Sequence, residues 1–199
     1  MKKKRILDVA TEEFATLGYS GLSMNKLAEK LKINKAMIYY CFKDKRNLYD
    51  EVISSIIELN EEEKKEILNS SLEAKEKFKR YIKLYTKTIN NNPNIIPLTL
   101  REMANFDLGI ENNIPNSIEQ ELVLMKQIIL QLNLKEKYKD IDFYELKAMI
   151  IGTISSYYSM QKTPLKLSNI KDFDKNDTKI LNYVEEFITN ILLDALCEN

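Results

Sequence analysis

Between Ser23 and Phe42, two short stretches of apolar residues at helical spacing stand three residues apart. That spacing narrows the possible folds more than any other feature of the chain. In the first stretch Met24, Leu27, Ala28 and Leu31 fall at i, i+3, i+4 and i+7, one face of a helix over 24–31. Ser23 is placed to cap it. Lys32-Ile33-Asn34 is too short for anything but a turn, and Asn34 can cap a second helix over roughly 35–41. Two short helices joined by such a turn form a helix-turn-helix, whose second helix lays its N-terminal residues on base edges in the major groove. Ala28 is small where the two helices would cross, and Ile33 is an apolar plug for the turn. Ile38 and Phe42, at i and i+4, would anchor the second helix, leaving Lys35, Ala36, Met37, Tyr39 and Tyr40 to face outward. Tyrosine hydroxyls can donate to phosphates, and their rings can pack on sugars or thymine methyls.

Charge points the same way. The chain is neutral, with 30 basic and 30 acidic residues, but residues 1–48 carry eleven Lys/Arg against five Asp/Glu. The remainder is acidic by the same margin, and a basic head on an acidic body suggests that the head meets a polyanion. Lys43 and Lys45 lie just past the second helix, where backbone phosphates would run. The basic run Lys2-Lys3-Lys4-Arg5 is expected either to reach the DNA backbone or minor groove or to be a disordered solubilising tail.

With four Gly and four Pro in 199 residues and a 44% hydrophobic composition, the fold expected is all-α, of about nine helices around a buried core. Ile6, Ala10, Phe14 and Leu17 mark a helix ended by Gly18. Asp44 caps a helix running through about residue 68, past the charged stretch ELNEEEKKE. Ser70 with Glu73 reads as a capping box for a helix through about Asn90, and NNNPNIIP at 90–97 reads as a break. Asn116 with Glu119 opens a helix ending near Leu134, and Asp142 with Glu145 opens the next, through about Gln161. A helix over about 176–197 closes the chain, after loops at 107–115 and 163–174. Residues 1–48 are expected to be a three-helix DNA-binding domain, and residues 49–199 a helical effector-binding and dimerisation domain.

Several functions are disfavoured. The absence of histidine removes the commonest general base and metal ligand. No glycine-rich phosphate loop or paired metal-ligand motif occurs, so no enzyme, cofactor or metal is expected. Cys41 and Cys197 are too few and too far apart for a disulfide framework or zinc site. No signal-peptide pattern and no membrane-spanning apolar run are found, so a cytoplasmic protein without membrane attachment is expected.

Residues 6–48 resemble the DNA-binding region of the tetracycline-repressor (TetR) family of bacterial transcriptional regulators. The resemblance lies in Ile6-Leu7, Ala10, Phe14, Gly18-Tyr19, Leu22-Ser23-Met24, Leu27-Ala28, Ile33, Ile38-Tyr39, Phe42, Lys45 and Leu48. It implies phosphate contacts from Ser23, Tyr39 and Lys45, with Lys43 added from charge alone, and base contacts from Lys35, Ala36 and Met37. Three residues depart from the family pattern: Lys32 replaces a turn glycine, Ala36 a small glycine, and Cys41 a phosphate-touching histidine. A left-handed backbone at Lys32 would cost about 1 kcal/mol, so a slightly altered turn is expected.

A single reading helix spans few base pairs, so a homodimer on a palindromic double-stranded operator is expected. Gly152, Ser155, Ser156 and Ser159 form a small-residue stripe for close helix approach, and the closing helix is broadly apolar, including Val184, Phe187, Ile188 and Ile191. The resemblance implies that these two helices make the dimer interface. It also implies an effector pocket in the C-terminal bundle, for which Tyr81, Tyr85, Met103, Phe106, Met125, Met149 and Tyr157 are the candidate lining. Arg101 and Glu102 would line that cavity or pair on the surface. The expected function is a repressor released by a small apolar or aromatic effector. The alternative is a DNA-binding regulator driven by a protein partner.

Overall fold

The computed structural model describes the backbone of residues 2–104, 116–162 and 178–198, and within these the side chains of 2–101, 119–159 and 185–198. The described residues form ten α-helices and one 3-10 turn, in an all-α fold. The chain divides into two compact units, one of residues 1–59 with 92–119 and the other of 60–91 with 120–199.

The first unit holds α1 (Lys2–Gly21), α2 (Met24–Leu31), α3 (Lys35–Cys41), α4 (Lys45–Ile57) and α7 (Ile95–Ala104). Its core is wholly apolar, with Ile6, Phe14, Leu27, Ile38, Phe42, Leu48 and Val52 almost fully buried and Leu98 of α7 among them. Local chemistry sets each boundary. Gly18 breaks α1 with φ 73. Ser23 Oγ accepts from Lys26 N at 3.2 Å, and Asn34 Oδ1 from Ala36 N at 2.8 Å. Asp44 Oδ1 accepts from Asn47 N at 2.8 Å.

Here the structure corrects several expectations. The unit bearing the helix-turn-helix runs past residue 48 and includes residues 92–119. The basic run 2–5 is part of α1: Lys3 pairs with Glu51 at 2.7 Å, and Arg5 donates to Leu31 O at 3.4 Å. The expected 44–68 helix is two, because Asn60 adopts a left-handed conformation (φ 60) between α4 and α5 (Glu61–Asn69). Asparagine tolerates that region better than most residues, and its amide also donates to Thr88 Oγ1 at 2.6 Å. Pro97, read as a breaker, sits in the first turn of α7, where no N–H is needed for a helical bond.

The second unit holds α5, α6 (Ala74–Asn91), residues 120–129 of α8 (Asn116–Ile129), the turn Glu136–Tyr138, α9 (Phe143–Lys162) and α10 (Thr178–Leu196). Phe78, Ile82, Ile89, Met125, Ile128, Ile150 and Ile154 form its apolar core. Asp142 Oδ1 caps α9 through Tyr144 N at 2.7 Å and Glu145 N at 2.9 Å. Ser70 does not cap α6; its hydroxyl donates back to Ile67 O at 2.7 Å, closing α5. Helix α8 stops at Ile129, short of Leu134, which instead forms an antiparallel bridge with Cys197. The expected loops 107–115 and 163–174 lie outside the described residues.

Candidate nucleic-acid interface

The turn between α2 and α3 is built by two backbone hydrogen bonds. Ile33 N donates to Ala28 O at 3.1 Å and Lys32 N to Glu29 O at 3.0 Å. This pairing with a left-handed residue at Lys32 (φ 55, ψ 46) is a Schellman motif, and Ile33 packs on the core as its apolar partner. The turn is therefore not altered by the missing glycine: Lys32 takes the left-handed conformation and bears its cost. Ile38 and Phe42, 0% and 1% exposed, pin α3 from beneath.

What remains faces outward. Lys35 and Ala36 are exposed, Met37 is half-buried, Tyr39 is 41% exposed and Tyr40 89%. Lys35 Nζ stands 5.4 Å from the Tyr39 ring centroid, so the two present one amphipathic surface. Ser23 is exposed, and since its oxygen accepts the capping bond, its hydroxyl proton stays available to an acceptor. Lys43 is exposed, and half-buried Lys45 lies 4.4 Å from the Tyr19 ring, which packs edge-on against Tyr49 at 5.1 Å. Burial pulls the Lys45 ammonium down from its ordinary value. Lys30 is taken by Glu13 at 2.7 Å and Arg46 by Asp50 at 2.9 Å, whereas among the described residues Lys35, Lys43 and Lys45 form no ion pair. Cys41 is half-buried against the core, so the position of the family histidine offers little polar surface.

The second unit brings together residues that sequence reasoning only partly anticipated. Glu121 is 9% exposed; its Oε2 accepts from Lys64 Nζ at 2.6 Å and its Oε1 from the Tyr81 hydroxyl at 2.6 Å. Burial, then the Glu121 charge, holds the Tyr81 phenol well above its ordinary value. Half-buried Tyr85 is raised in the same order of causes, partly offset by the Ser155 hydroxyl it faces. Lys147 is drawn down to about 8 by burial, with Glu121 opposing the shift and Lys64 adding to it. Lys64 and Glu121 lie 57 residues apart, so no local pattern signals their pairing.

Of the other expected effector residues, Met125 is buried one turn from Glu121 on α8, and Tyr157 is half-buried. Met149 is 66% exposed, because the inward stripe of α9 is Leu146, Ile150, Ile154 and Tyr158, a hundred degrees round the helix. Phe106 and the side chain of Met103 lie outside the described residues. Arg101 donates to Ala15 O at 3.3 Å and Thr16 O at 2.9 Å. In the expected dimer stripe Ser156 is exposed and Gly152 and Ser159 are half-buried. Ser155 is a correction, fully buried at the α9 face that meets Tyr85. Ile188 is 6% exposed and faces inward, whereas Phe187 and Ile191 are about half exposed at 51% and 48%. The Val184 side chain lies outside the described residues.

A short helix pinned by two apolar anchors, with its polar face and unpaired lysines outward, defines a helix-turn-helix DNA-binding protein. Residues 6–52 match the family of bacterial regulatory proteins called the tetR family. It is 28% identical over 107 residues to IcaR of Staphylococcus aureus, an HTH-type negative transcriptional regulator of the biofilm operon icaADBC, covering 46% of this chain and 55% of IcaR. Matches to the curated relatives span only 37–55% of those proteins' length. A candidate fatty acid metabolism regulator of Clostridium perfringens is similar over 98% of this chain and 99% of its own, with 25% identity and a TM-score of 0.68. FadR of Bacillus subtilis, solved in complex with stearoyl-CoA, shares the fold at 20% identity and a TM-score of 0.71, over 96% of this chain and 98% of its own. Among the described residues no helix is long and apolar enough to cross a membrane.

Proposed function

We propose that this protein is a homodimeric transcriptional repressor that binds a palindromic operator and is released by a small, largely apolar effector. The observation that carries the reading is the outward face of α3, where Lys35, Tyr39 and Tyr40 stand free above a buried Ile38–Phe42 anchor. In this reading Lys35, Ala36 and Met37 meet base edges, while Ser23, Tyr39, Tyr40, Lys43 and Lys45 hold phosphates and sugars. Repression is supported by IcaR, described as a negative regulator. Dimerisation is supported by Phe187 and Ile191, half-exposed apolar side chains one turn apart on α10, a face that a second protomer would cover. An apolar effector is supported by the stearoyl-CoA bound to FadR.

To act, the effector must favour one arrangement of the two reading helices over the other. The path from α4 to α5 is not one unbroken helix, since the chain turns at Asn60 between them. The test is selection of bound fragments from genomic DNA by the purified protein, followed by fluorescence anisotropy on the recovered site. A palindrome with half-sites about one helical turn apart, or a multiple of it, and a two-protomer complex in sedimentation are expected. Sequence-independent binding by a monomer would overturn the proposal.

A further inference from the structure

Arg101 belongs to the unit that bears the helix-turn-helix, although it lies on α7 and outside that motif. Helix α1 bends at Gly18, and residues 14–17, the turn before the bend, carry no basic side chain. A cation is favoured there by the helix dipole. Arg101 brings one: its Nε donates to Ala15 O at 3.3 Å and its Nη2 to Thr16 O at 2.9 Å. The same guanidinium lies against the bare Cα of Gly18, whose backbone is left-handed at φ 73. Glycine is the residue least able to hold one conformation by itself. The two carbonyl bonds and the contact at Gly18 therefore fix the direction in which the chain leaves the bend, and the next residue is Tyr19.

Tyr19 is where that direction matters. Its ring stacks on Phe14, with centroids 6.2 Å apart and 12° between the planes, and meets Tyr49 edge-on at 5.1 Å. Lys45 Nζ stands 4.4 Å from the Tyr19 centroid, a cation held over a ring. Among the described residues no acid pairs with Lys45, so this ring is what holds its long stem. A lysine side chain loses rotamer freedom when it grips a phosphate, and one already held in place loses less. From α7 to Lys45 the path is thus continuous: guanidinium to the bend, bend to ring, ring to ammonium.

We infer that Arg101 is a positioning residue for DNA binding: by fixing the bend at Gly18 it sets the Tyr19 ring, and the ring holds Lys45 ready for a backbone phosphate. This rests on the reading of Lys45 as a phosphate contact and adds what prepares it. The probe is a mixed-sequence DNA duplex, titrated with the full chain in fluorescence anisotropy over a series of salt concentrations. Arg101→Gln should weaken binding about fivefold and lower the slope of log affinity against log salt toward that of Lys45→Ala. In the Lys45→Ala background the same substitution should cost nothing further in affinity or slope. Tyr19→Leu should reproduce Arg101→Gln, and Tyr19→Phe, which keeps the ring, should bind as the wild type does. Arg101→Lys should recover most of the loss, since an ammonium can still donate to a carbonyl.

Binding is read at a temperature where melting curves show every variant folded, and Tyr19→Leu carries the cycle with Lys45→Ala should Arg101→Gln fail to fold. Equal losses from Arg101→Gln with and without Lys45 would overturn the inference, because Arg101 would then touch DNA itself or only stabilise the head. So would wild-type affinity in Arg101→Gln or in Tyr19→Leu. An unchanged salt slope in Lys45→Ala would sink the phosphate reading underneath and the inference with it. A lowered slope in Lys45→Ala with an additive Arg101→Gln would sink the positioning role and leave the phosphate contact standing.

Discussion

The two units of this chain bury different kinds of residue. The first packs Ile6, Phe14, Leu27, Ile38, Phe42 and Leu48 into a core without a buried charge. Every buried polar or charged side chain among the described residues, Lys64, Lys77, Thr86, Thr88, Glu121, Ser155 and Thr189, belongs to the second. An apolar core has one good packing and few reasons to leave it. A core crossed by ion pairs depends on each partner being present, and it can be rebalanced by a ligand that supplies or withdraws one. Under the proposed function, a reading head would use the first property and an effector-answering body the second.

The sharpest way to break this contrast is Glu121→Ala, which leaves Lys64 buried without its carboxylate. It should lower unfolding free energy by about 4 kcal/mol in urea titration, and a loss under about 1 kcal/mol would mean that the ion pair is not buried as described. Ile38→Ala in the apolar head should cost about 3 kcal/mol. It should also abolish operator binding, because α3 loses its anchor, whereas Glu121→Ala should spare DNA affinity at temperatures where the chain stays folded. Lys45→Ala should weaken all sequences alike and reduce the slope of log affinity against log salt by about one; an unchanged slope would remove Lys45 from the phosphate contacts. Lys32→Gly should raise stability by about 1 kcal/mol, read as a shift in the urea midpoint without a change in slope.

A further effect lies in pH. Burial lowers the folded-state value of Lys147 from 10.5 to about 8, despite Glu121 and with Lys64 assisting. Between those values the unfolded chain holds the extra proton, so stability rises with pH across that window. Lys147→Met should therefore be more stable than wild type at neutral pH, by a margin that shrinks from pH 8 to 10.5. A constant margin in thermal melts would show that Lys147 titrates normally.

The head was legible because its instructions are local. Ser23, Asn34 and Asp44 each cap the helix that follows, and the spacing of Ile38 and Phe42 needs no knowledge of what they touch. The turn was read correctly in place but not in conformation, since a lysine gives no signal that it will adopt positive φ. The body was less legible. Asn60 looks like any polar residue in a charged run, yet it turns the chain, and Pro97 reads as a breaker unless one knows that it falls in a first turn. The partnership of Lys64 with Glu121 spans 57 residues and is set by packing alone. Met149 and Ile150 are neighbours in sequence on different sides of one helix, and hydrophobicity cannot tell which of the two is buried.

At Gly18 the chain breaks α1, and a Cβ built there would stand 3.1 Å from Arg101 Nη1. The same guanidinium closes the carbonyls of Ala15 and Thr16, and Leu98, one turn earlier, fills the space among the first helices. The piece that reads DNA is thus finished by a segment arriving some eighty residues later. A fragment cut after Leu59 would carry every residue of the reading surface and still lack its clasp, so grafting that surface onto another protein requires taking α7 along with it.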